Sequence, residues 1–216
     1  MYKLIKEEMS WEDFFSQNEK LVKHIENQLE DTIYTPTHGE IFEVFKKVPF
    51  DKLKVVMVGD KPYEDSSIAS GIAFASKNSK TTPLFLDRIY EELERSVNFK
   101  RPLTNNLEPW LEKGIFPCNF CFTCPLDKYK YKKNYSLLWE PFIHNLVAYI
   151  SEHTSVVFIL FGYRASTIRP SITEINCSVI EVAHPVHSYK KFKGCNCFKK
   201  ARELAGSHGF TISWDL

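Results

Sequence analysis

Hydrophobic residues along this chain follow two different spacings. Short runs of consecutive apolar residues are typical of strands buried on both faces, and they occupy residues 53–58, 115–122, 156–160 and 179–182. Between these runs, apolar residues recur every three or four positions, which predicts helices over residues 11–29, 83–97, 107–113, 137–153 and 195–205. A shorter helical pattern follows His38. Strands therefore alternate with helices along most of the chain.

This alternation predicts an α/β fold in which helices cover both faces of a mainly parallel sheet. The expected architecture has three layers, α/β/α, with four strands in the central sheet. In such sheets ligands bind beyond the carboxyl ends of the strands, so the loops after residues 58, 118 and 182 should meet there. The chain has 216 residues, 44% of them hydrophobic, which is enough for one core. We expect residues 1–216 to form one domain.

Composition narrows the class of protein without deciding its function. The formal net charge is +1, so total charge neither requires nor excludes a polyanionic partner. No apolar stretch approaches the roughly 20 residues that span a bilayer. The charged start of the chain also lacks the apolar region of a secretory signal. We therefore expect an intracellular protein with no membrane partner, whose six cysteines are reduced thiols.

The first candidate site is the loop Gly59-Asp60-Lys61-Pro62-Tyr63-Glu64, which follows the first predicted strand. A tight Gly/Pro turn that carries charge and an aromatic ring is typical of active-site loops. The hexad resembles the Gly-Gln-Asp-Pro-Tyr-His loop of family 1 uracil-DNA glycosylases. Lys61 stands where that family carries an aspartate, and Asp60 stands where it carries a glutamine.

Further motifs extend the resemblance from about residue 10 to residue 214, in the family's order and with similar spacing. They are Gly71-Ile72-Ala73-Phe74, Gly114-Ile115-Phe116-Pro117-Cys118-Asn119, Trp139-Glu140-Pro141-Phe142, His184-Pro185-Val186-His187-Ser188, Gly194-Cys195-Asn196-Cys197-Phe198 and Ile212-Ser213-Trp214. In the fifth motif the family has Gly-Cys-Asn-His-Phe, so Cys197 stands in place of a histidine. Each motif is weak alone, whereas the ordered set is specific.

The resemblance implies a pocket for uracil. In it, Phe74 would stack on the base, and the edge of Tyr63 would exclude the methyl group of thymine. Asn119 would pair with uracil O4 and N3–H, because a side-chain amide offers one acceptor and one donor. His184 would donate to uracil O2 and stabilise the anion that forms as the glycosidic bond breaks, and Asp60 belongs to the same base-binding set. Taken singly, these residues also fit the roles of core aromatic, turn residue or backbone-bonded histidine.

Lys61 is the departure that matters most for catalysis. The family's aspartate stabilises the cationic sugar of the transition state and orients water. A charged lysine inverts the first effect, because two positive charges 4 Å apart repel by roughly 4 kcal/mol at an effective dielectric near 20. At about 1.4 kcal/mol per factor of ten, that repulsion would lower the rate on the order of a thousandfold. We therefore expect a protein that binds DNA or a uracil-like base with little or no ordinary excision.

Three alternatives retain some catalysis. Asp60 could move toward the sugar, or the carboxylate could be dispensable, since other branches of the superfamily have asparagine at this position. Alternatively, a neutral Lys61 could attack C1′ and form a Schiff base, although Glu64, which replaces a histidine, would favour the protonated amine. Two other functions therefore stay open: a glycosylase with altered chemistry or base preference, and a protein-interaction module or decoy for glycosylase inhibitors.

The resemblance also implies a DNA-contacting surface that differs from that of the family. Ser188 aligns with the family's leucine wedge, and Tyr189 is the nearest large side chain that could replace it. Pro83-Leu84-Phe85 replaces a Pro-Pro-Ser element, and Glu64 and Asp65 place negative charge near the expected path of a phosphate. The candidate DNA contacts are Ser66, Ser67, His187, Ser188, Tyr189, Lys190, Lys191 and Lys193.

Two basic clusters could follow a phosphate backbone. One continues past Lys193 to Lys199 and Lys200, and the other interleaves lysines with tyrosines over residues 128–135. A solvated charged surface is the alternative for both. The expected partners are single- or double-stranded DNA, uracil or a modified pyrimidine, and a protein inhibitor or replication partner.

The run Cys118-x2-Cys121-x2-Cys124-Pro125 resembles part of a ferredoxin-type cluster motif. Strand residues three apart face opposite sides, so Cys118 and Cys121 should not converge on one metal ion. A fourth ligand would have to come from the remaining cysteines, Cys177, Cys195 and Cys197, without supporting spacing. We therefore expect no metal and no cofactor.

Overall fold

Four parallel strands form the centre of the computed structural model, which describes residues 9–78, 80–126 and 135–216. The strands are β1 (Tyr34–Thr35), β2 (Val55–Gly59), β3 (Ile115–Asn119), β4 (Cys124–Pro125), β5 (Val157–Phe161) and β6 (Ser178–Val182). The helices are α1 (Trp11–Gln17), α2 (Glu19–Leu29), α3 (Glu43–Lys47), α4 (Leu84–Val97), α5 (Glu108–Glu112), α6 (Tyr135–His153), α7 (Tyr163–Ser166), α8 (Tyr189–Phe192) and α9 (Cys197–Ser207). The central sheet has the order β3-β2-β5-β6.

The register of the sheet brings the ends of neighbouring strands to one edge. Val55 lies opposite Ile115 at the start of β2 and β3, and Gly59 lies opposite Asn119 at their ends. β5 continues the parallel pairing on the other side of β2, and β6 pairs with β5. The loops that follow β2, β3 and β6 therefore leave the sheet at the same edge, where the strands have their carboxyl ends, as the sequence predicts.

Helices cover both faces of this sheet, which confirms the predicted three-layer α/β/α architecture. Alternate residues of β2 point to opposite layers, so Val56 and Val58 belong to one apolar core and Val55 and Met57 to the other. The first core also includes residues of α1, α2, α3 and α6, and the second includes residues of α4, α5 and α9. β2, β3 and β5 are each buried along their whole length, and apart from Asn119 at the end of β3 their sequences are apolar rather than alternating.

The predicted helix over residues 11–29 is two helices, which meet at Asn18. The Asn18 side-chain amide donates to the carbonyl oxygen of Phe14 at 2.8 Å, and its Oδ1 accepts from Asn145 at 2.7 Å. Asparagine side chains compete in this way with backbone hydrogen bonds, so α1 ends and α2 begins there. The apolar periodicity alone does not reveal this break.

The predicted strand over residues 115–122 is also shorter, because β3 ends at Asn119. The next residues contact the loop after β2: the backbone N–H groups of Phe120 and Cys121 donate to the carbonyls of Gly59 and Asp60 at 3.0 and 2.9 Å. Cys121 therefore lies beyond the strand. The argument that Cys118 and Cys121 face opposite sides of one strand was therefore wrong, because only Cys118 lies in β3.

The sequence pattern also missed the short elements. β1 and β4 form a small antiparallel ladder, in which Tyr34 lies opposite Pro125. α7 and α8 are single helical turns placed between the larger elements. In the described part of the chain, no helix combines the length and the apolar character needed to span a bilayer.

Candidate functional site

A cavity of about 350 Å³ opens at the edge of the sheet where the strands end. The loops after β2, β3 and β6 line it, together with the start of α4. Seven residues predicted from separate parts of the sequence contribute to its wall: Asp60, Lys61, Tyr63, Phe74, Asn119, His184 and His187. The fold therefore brings the predicted base-binding residues together.

Gly59 allows the aromatic ring and the amide of the site to approach the end of β2. A methyl group placed on Gly59 would lie 2.7 Å from Oδ1 of Asn119 and 2.8 Å from Cε1 of Phe74. Both distances are shorter than normal contacts, so any larger residue at position 59 would displace one of these side chains. Phe74 itself has a positive φ of 69°, which is rare for a non-glycine residue. Asn119 and Phe74 can therefore pack against the end of β2 only because Gly59 has no side chain.

Tyr63 is fixed to Phe74. Its hydroxyl donates a hydrogen bond to the carbonyl oxygen of Phe74 at 2.8 Å. Burial raises the pKa of the Tyr63 phenol far above its ordinary value, so the hydroxyl is neutral at physiological pH. This bond connects two residues whose positions in the sequence are 11 apart. It holds the tyrosine ring in the cavity wall.

His184 has one ring nitrogen occupied by the backbone. The N–H groups of Val186 and His187 both donate to its Nδ1 at 3.1 Å. Nδ1 is therefore an acceptor, and in the neutral imidazole the proton lies on Nε2. Burial, assisted by the nearby His187, lowers the pKa of His184, while Asp60 opposes the shift. The site thus contains a neutral histidine with one N–H donor.

Phe85 contributes an aromatic ring to the cavity wall. In the family resemblance it stands where the Pro-Pro-Ser element has its serine. Its ring stacks on Phe74 with 5.0 Å between centroids and 24° between planes. It also meets the ring of His184 edge to face at 5.0 Å. Phe85 lines the cavity at the start of α4. The resemblance indicates this position through Pro83-Leu84-Phe85, but only the fold reveals which rings it contacts.

The charged residues of the loop after β2 are paired. The ammonium nitrogen of Lys61 lies 2.6 Å from Oε1 of Glu64, and each of these side chains is 42% exposed. Burial alone would lower the pKa of Lys61, but the hydrogen bond to Glu64 and the other nearby acidic groups outweigh it, and the pKa is raised. Lys61 is therefore protonated at neutral pH. Asp60 is bound to Arg164 at 2.6 Å.

The predicted DNA contacts lie on two sides of the cavity. Ser66 and Ser67 are exposed in the loop after β2, and Ser67 donates both its backbone N–H and its hydroxyl to Asp65. On the other side, Ser188 lines a groove that adjoins the cavity through Asp60 and His184. Lys191 lines the same groove.

Tyr189, the candidate replacement for the wedge, contacts α4. Its hydroxyl donates to Glu91 at 2.6 Å, and the guanidinium of Arg88 lies 4.0 Å above its ring. These contacts hold Tyr189 against α4. Lys190, Lys191 and Lys193 are exposed around it, so the basic surface predicted for this segment is accessible.

Two other sequence hypotheses concern charge and metal binding. The basic and aromatic run over residues 128–135 lies outside the described residues except for Tyr135. Within residues 9–78, 80–126 and 135–216, no three histidine, cysteine or acidic side chains are placed to hold a metal ion.

Comparison with known proteins gives clear sequence relatives. A uracil-DNA glycosylase of Caenorhabditis elegans is 32% identical over 217 residues, which cover 98% of this chain and 75% of the relative. A uracil-DNA glycosylase of Francisella philomiragia is 32% identical over 221 residues, covering 96% of this chain and the whole relative. No family model matches the chain.

Solved structures share the fold. The crystal structure of mimivirus uracil-DNA glycosylase superposes with a TM-score of 0.84 and 24% sequence identity, covering 95% of this chain and 86% of that one. A variant of mimivirus UNG solved in complex with UGI gives a TM-score of 0.83, with 24% identity and coverages of 95% and 88%. At this identity the similarity establishes the three-layer fold.

Proposed function

The chain belongs to the uracil-DNA glycosylase family, and from that premise we propose that it holds a uracil-like base of DNA with little or no ordinary excision. The observation that carries the proposal is the convergence of Tyr63, Phe74, Asn119 and His184 on one cavity, which Lys61 also lines as a charged group. The first four suit base recognition, whereas the fifth opposes the cationic transition state of hydrolysis.

The chemistry of the cavity matches the edge of a uracil ring. Uracil presents two carbonyl oxygens with an N–H donor between them. The Asn119 amide offers one donor and one acceptor, and the neutral His184 offers an N–H for the remaining oxygen. Phe74 supplies an aromatic face, and the Tyr63 ring lines the cavity beside it. Discrimination by a buried amide of this kind is strong, because a mismatched base would leave polar groups unpaired.

The reduced excision follows from the position of Lys61. In the family resemblance this residue replaces the aspartate that orients water, and its ammonium cannot perform that role. Glu64 neutralises part of its charge at 2.6 Å, so the repulsion of a sugar cation is smaller than for an isolated lysine. The contact with Glu64 does not restore the carboxylate that orients water. We expect the absence of this carboxylate to limit turnover more than the repulsion does.

A second candidate function is a glycosylase that uses another acid. It is favoured by one observation: Asp60 and Glu64 both line the cavity. Asp60 would first have to leave Arg164, and Glu64 would have to orient water while bound to Lys61. The raised pKa of Lys61 argues against direct attack by its amine, because a protonated amine has no lone pair.

Single-turnover excision from single-stranded uracil DNA separates the two candidates. We compare the wild type with Lys61→Asp and Glu64→Gln. The matched control is Lys46→Asp, because Lys46 and Glu43 form a surface pair of the same sequence spacing away from the cavity. Our proposal expects Lys61→Asp to raise the rate by about 10²–10⁴-fold, the contribution typical of a positioned general base, while Lys46→Asp leaves it unchanged. A wild-type rate as high as that of Lys61→Asp, abolished by Glu64→Gln, would instead establish the second candidate.

Binding is tested independently of turnover. Titration of uracil-containing and matched cytosine-containing DNA should give tighter binding of the uracil strand, because cytosine inverts the donor and acceptor that face the Asn119 amide, and Asn119→Ala should remove the difference. Equal affinity for both strands, insensitive to Asn119→Ala, would contradict base recognition. Complete absence of DNA affinity at low salt would favour a protein-interaction module instead.

We also propose that a protein inhibitor binds this fold, as UGI does in the solved mimivirus complex. The supporting feature is the shared three-layer architecture. Size-exclusion chromatography of this protein with UGI should give a stable complex, and DNA should compete with it. Separate elution of the two proteins at micromolar concentration would reject this partner.

A further inference from the structure

The ring of Phe85 covers the aromatic surface on which a base would stack. It lies on Phe74 with 5.0 Å between centroids and 24° between planes, and it meets the ring of His184 edge to face at 5.0 Å. Stacked and edge-to-face pairs at these distances are arrangements that aromatic rings prefer. Phe85 therefore makes favourable contacts with two of the residues that the proposed function assigns to the base.

The other neighbours of Phe74 leave little of its ring surface to a ligand. Phe161 meets the Phe74 ring at 63° with 5.3 Å between centroids. Gly59 packs so closely that a methyl group added to it would lie 2.8 Å from Cε1 of Phe74. In total, Phe74 is 6% exposed. Because stacking requires a ring face that a second ring can cover, a base reaches Phe74 only after Phe85 has moved away.

The two stacked rings differ in how firmly the fold holds them. The backbone of Phe74 has a φ of 69°, and its carbonyl oxygen accepts a hydrogen bond from the hydroxyl of Tyr63 at 2.8 Å. Phe85 is partly exposed and is the second residue of α4, which begins at Leu84. Inside a helix the preceding turn restricts the side-chain rotamers, but Phe85 follows no such turn. Phe85 is therefore the ring that can turn aside.

We propose that Phe85 is a gate residue of the base cavity, whose ring competes with the base for the stacking surface of Phe74. Entry of a base displaces the phenyl ring toward solvent, and the base takes its place on Phe74. The proposal rests on the proposed function, because it concerns the same cavity. Displacement of the ring lowers the affinity for every base that enters, and hydrogen bonds to Asn119 and His184 determine which base offsets that cost.

The alternative arrangement leaves Phe85 in place. A base would then stack on the outer face of the Phe85 ring, and Phe85 would be part of the binding surface. Removal of the ring would weaken binding in that arrangement, whereas removal of a competing ring strengthens it. The sign of the change in affinity therefore distinguishes the two roles.

The test titrates wild type and Phe85→Ala with a single strand that contains one uracil, and with the same strand carrying cytosine instead. Titration at about pH 8 keeps His184 neutral in both proteins, because the ordinary pKa of histidine is about 6.5. The proposal expects Phe85→Ala to bind the uracil strand about two- to tenfold more tightly, the range that loss of one aromatic pair gives, and to bind the cytosine strand unchanged.

Phe210→Ala is the matched control for this titration. Phe210 is also partly buried, and its ring stacks on His208 with 15° between planes, outside the cavity lining. Its removal should leave the affinity for both strands unchanged. Thermal unfolding of each variant verifies that the comparison concerns folded protein.

A second measurement needs no substitution. In wild-type protein with labelled phenylalanine, nuclear Overhauser effects should connect the ring protons of Phe74 and Phe85. Saturation with the uracil strand should remove these effects, whereas the cytosine strand should leave them in place.

Two kinds of result would overturn the gate. Uracil affinity that falls or stays constant in Phe85→Ala, or ring contacts that persist in the uracil complex, would reject it and leave base recognition intact. Equal affinity for the uracil and cytosine strands in both proteins would reject the proposed function, and the gate with it.

Discussion

The ring of Phe85 packs edge to face against the imidazole of His184, with 5.0 Å between ring centroids and 82° between planes. Burial is the main cause of the lowered pKa of His184. Removing the phenyl ring would admit water to the imidazole and stabilise its charged form. We therefore expect Phe85→Ala to raise the pKa of His184 toward the ordinary value of histidine. An NMR titration of the His184 ring resonances measures this shift.

The control for this experiment is Leu84→Ala. Leu84 is in the same turn of α4 and is 53% exposed, so its removal changes the hydration of His184 less. If the pKa of His184 were the same in Phe85→Ala as in the wild type, burial by Phe85 would not be the cause of the shift.

Gly59→Ala should damage the base cavity although it adds one methyl group. The new atom would lie 2.7 Å from the Asn119 oxygen and 2.8 Å from the Phe74 ring, so one of them must move. We expect destabilisation by about 1–3 kcal/mol, together with loss of uracil binding. Gly39→Ala is the matched control, because no heavy atom lies within 4 Å of its added methyl. Thermal unfolding and uracil titration of both variants compare the effects; equal behaviour would exclude a packing role for Gly59.

Glu92→Gln should destabilise the fold by about 3 kcal/mol, because Glu92 is 2% exposed and it binds Arg95 and two backbone N–H groups. Burial alone would raise the pKa of Glu92, but these partners together lower it. The stabilisation is therefore present above the unfolded-state pKa of about 4.3 and is lost as the pH falls through the lower folded-state value.

Urea unfolding at pH 7 and at lower pH measures this dependence. The variant Glu94→Gln is the control, since Glu94 is 41% exposed in its pair with Arg101. We expect the difference between wild type and Glu92→Gln to shrink as the pH decreases below about 4. A difference that stays constant with pH would mean that Glu92 contributes through its shape and not its charge.

The lysines around α8 should govern affinity for DNA rather than choice of base. Alanine at Lys190 and Lys191 should weaken uracil DNA and thymine DNA equally. The slope of log affinity against log salt should fall by about 0.7–0.9 for each phosphate that is no longer neutralised. Lys20→Ala/Lys23→Ala on α2 is the control, because these exposed lysines lie on a helix outside the cavity. Titrations at several salt concentrations give the slopes. An unchanged slope in the Lys190/Lys191 variant would remove this surface from the DNA contacts.

The sequence predicts the sheet well because buried parallel strands have a continuous apolar pattern. It also predicts that Asp60, Asn119 and His184 meet, since the carboxyl ends of parallel strands share one edge. Both predictions depend on local patterns and on one topological rule. The roles of these residues in binding remain predictions, which the experiments above test.

The features that the sequence did not provide depend on contacts between distant residues. Arg164 binds Asp60 across 104 positions, and nothing in the local pattern around either residue indicates that pair. The break at Asn18 depends on an amide of α6, and the ring contacts of Phe85 depend on the direction in which α4 begins. Such details follow from packing, which periodicity does not encode.

The ion pair between Asp60 and Arg164 connects the loop after β2 to the turn after β5. A phosphate oxygen that approaches Arg164 competes with Asp60 for the same guanidinium. Binding of a polyanion in the groove that Arg164 lines would then free the Asp60 carboxylate, which also lines the cavity. Anion binding in the groove and the availability of the Asp60 charge in the cavity would therefore be thermodynamically linked.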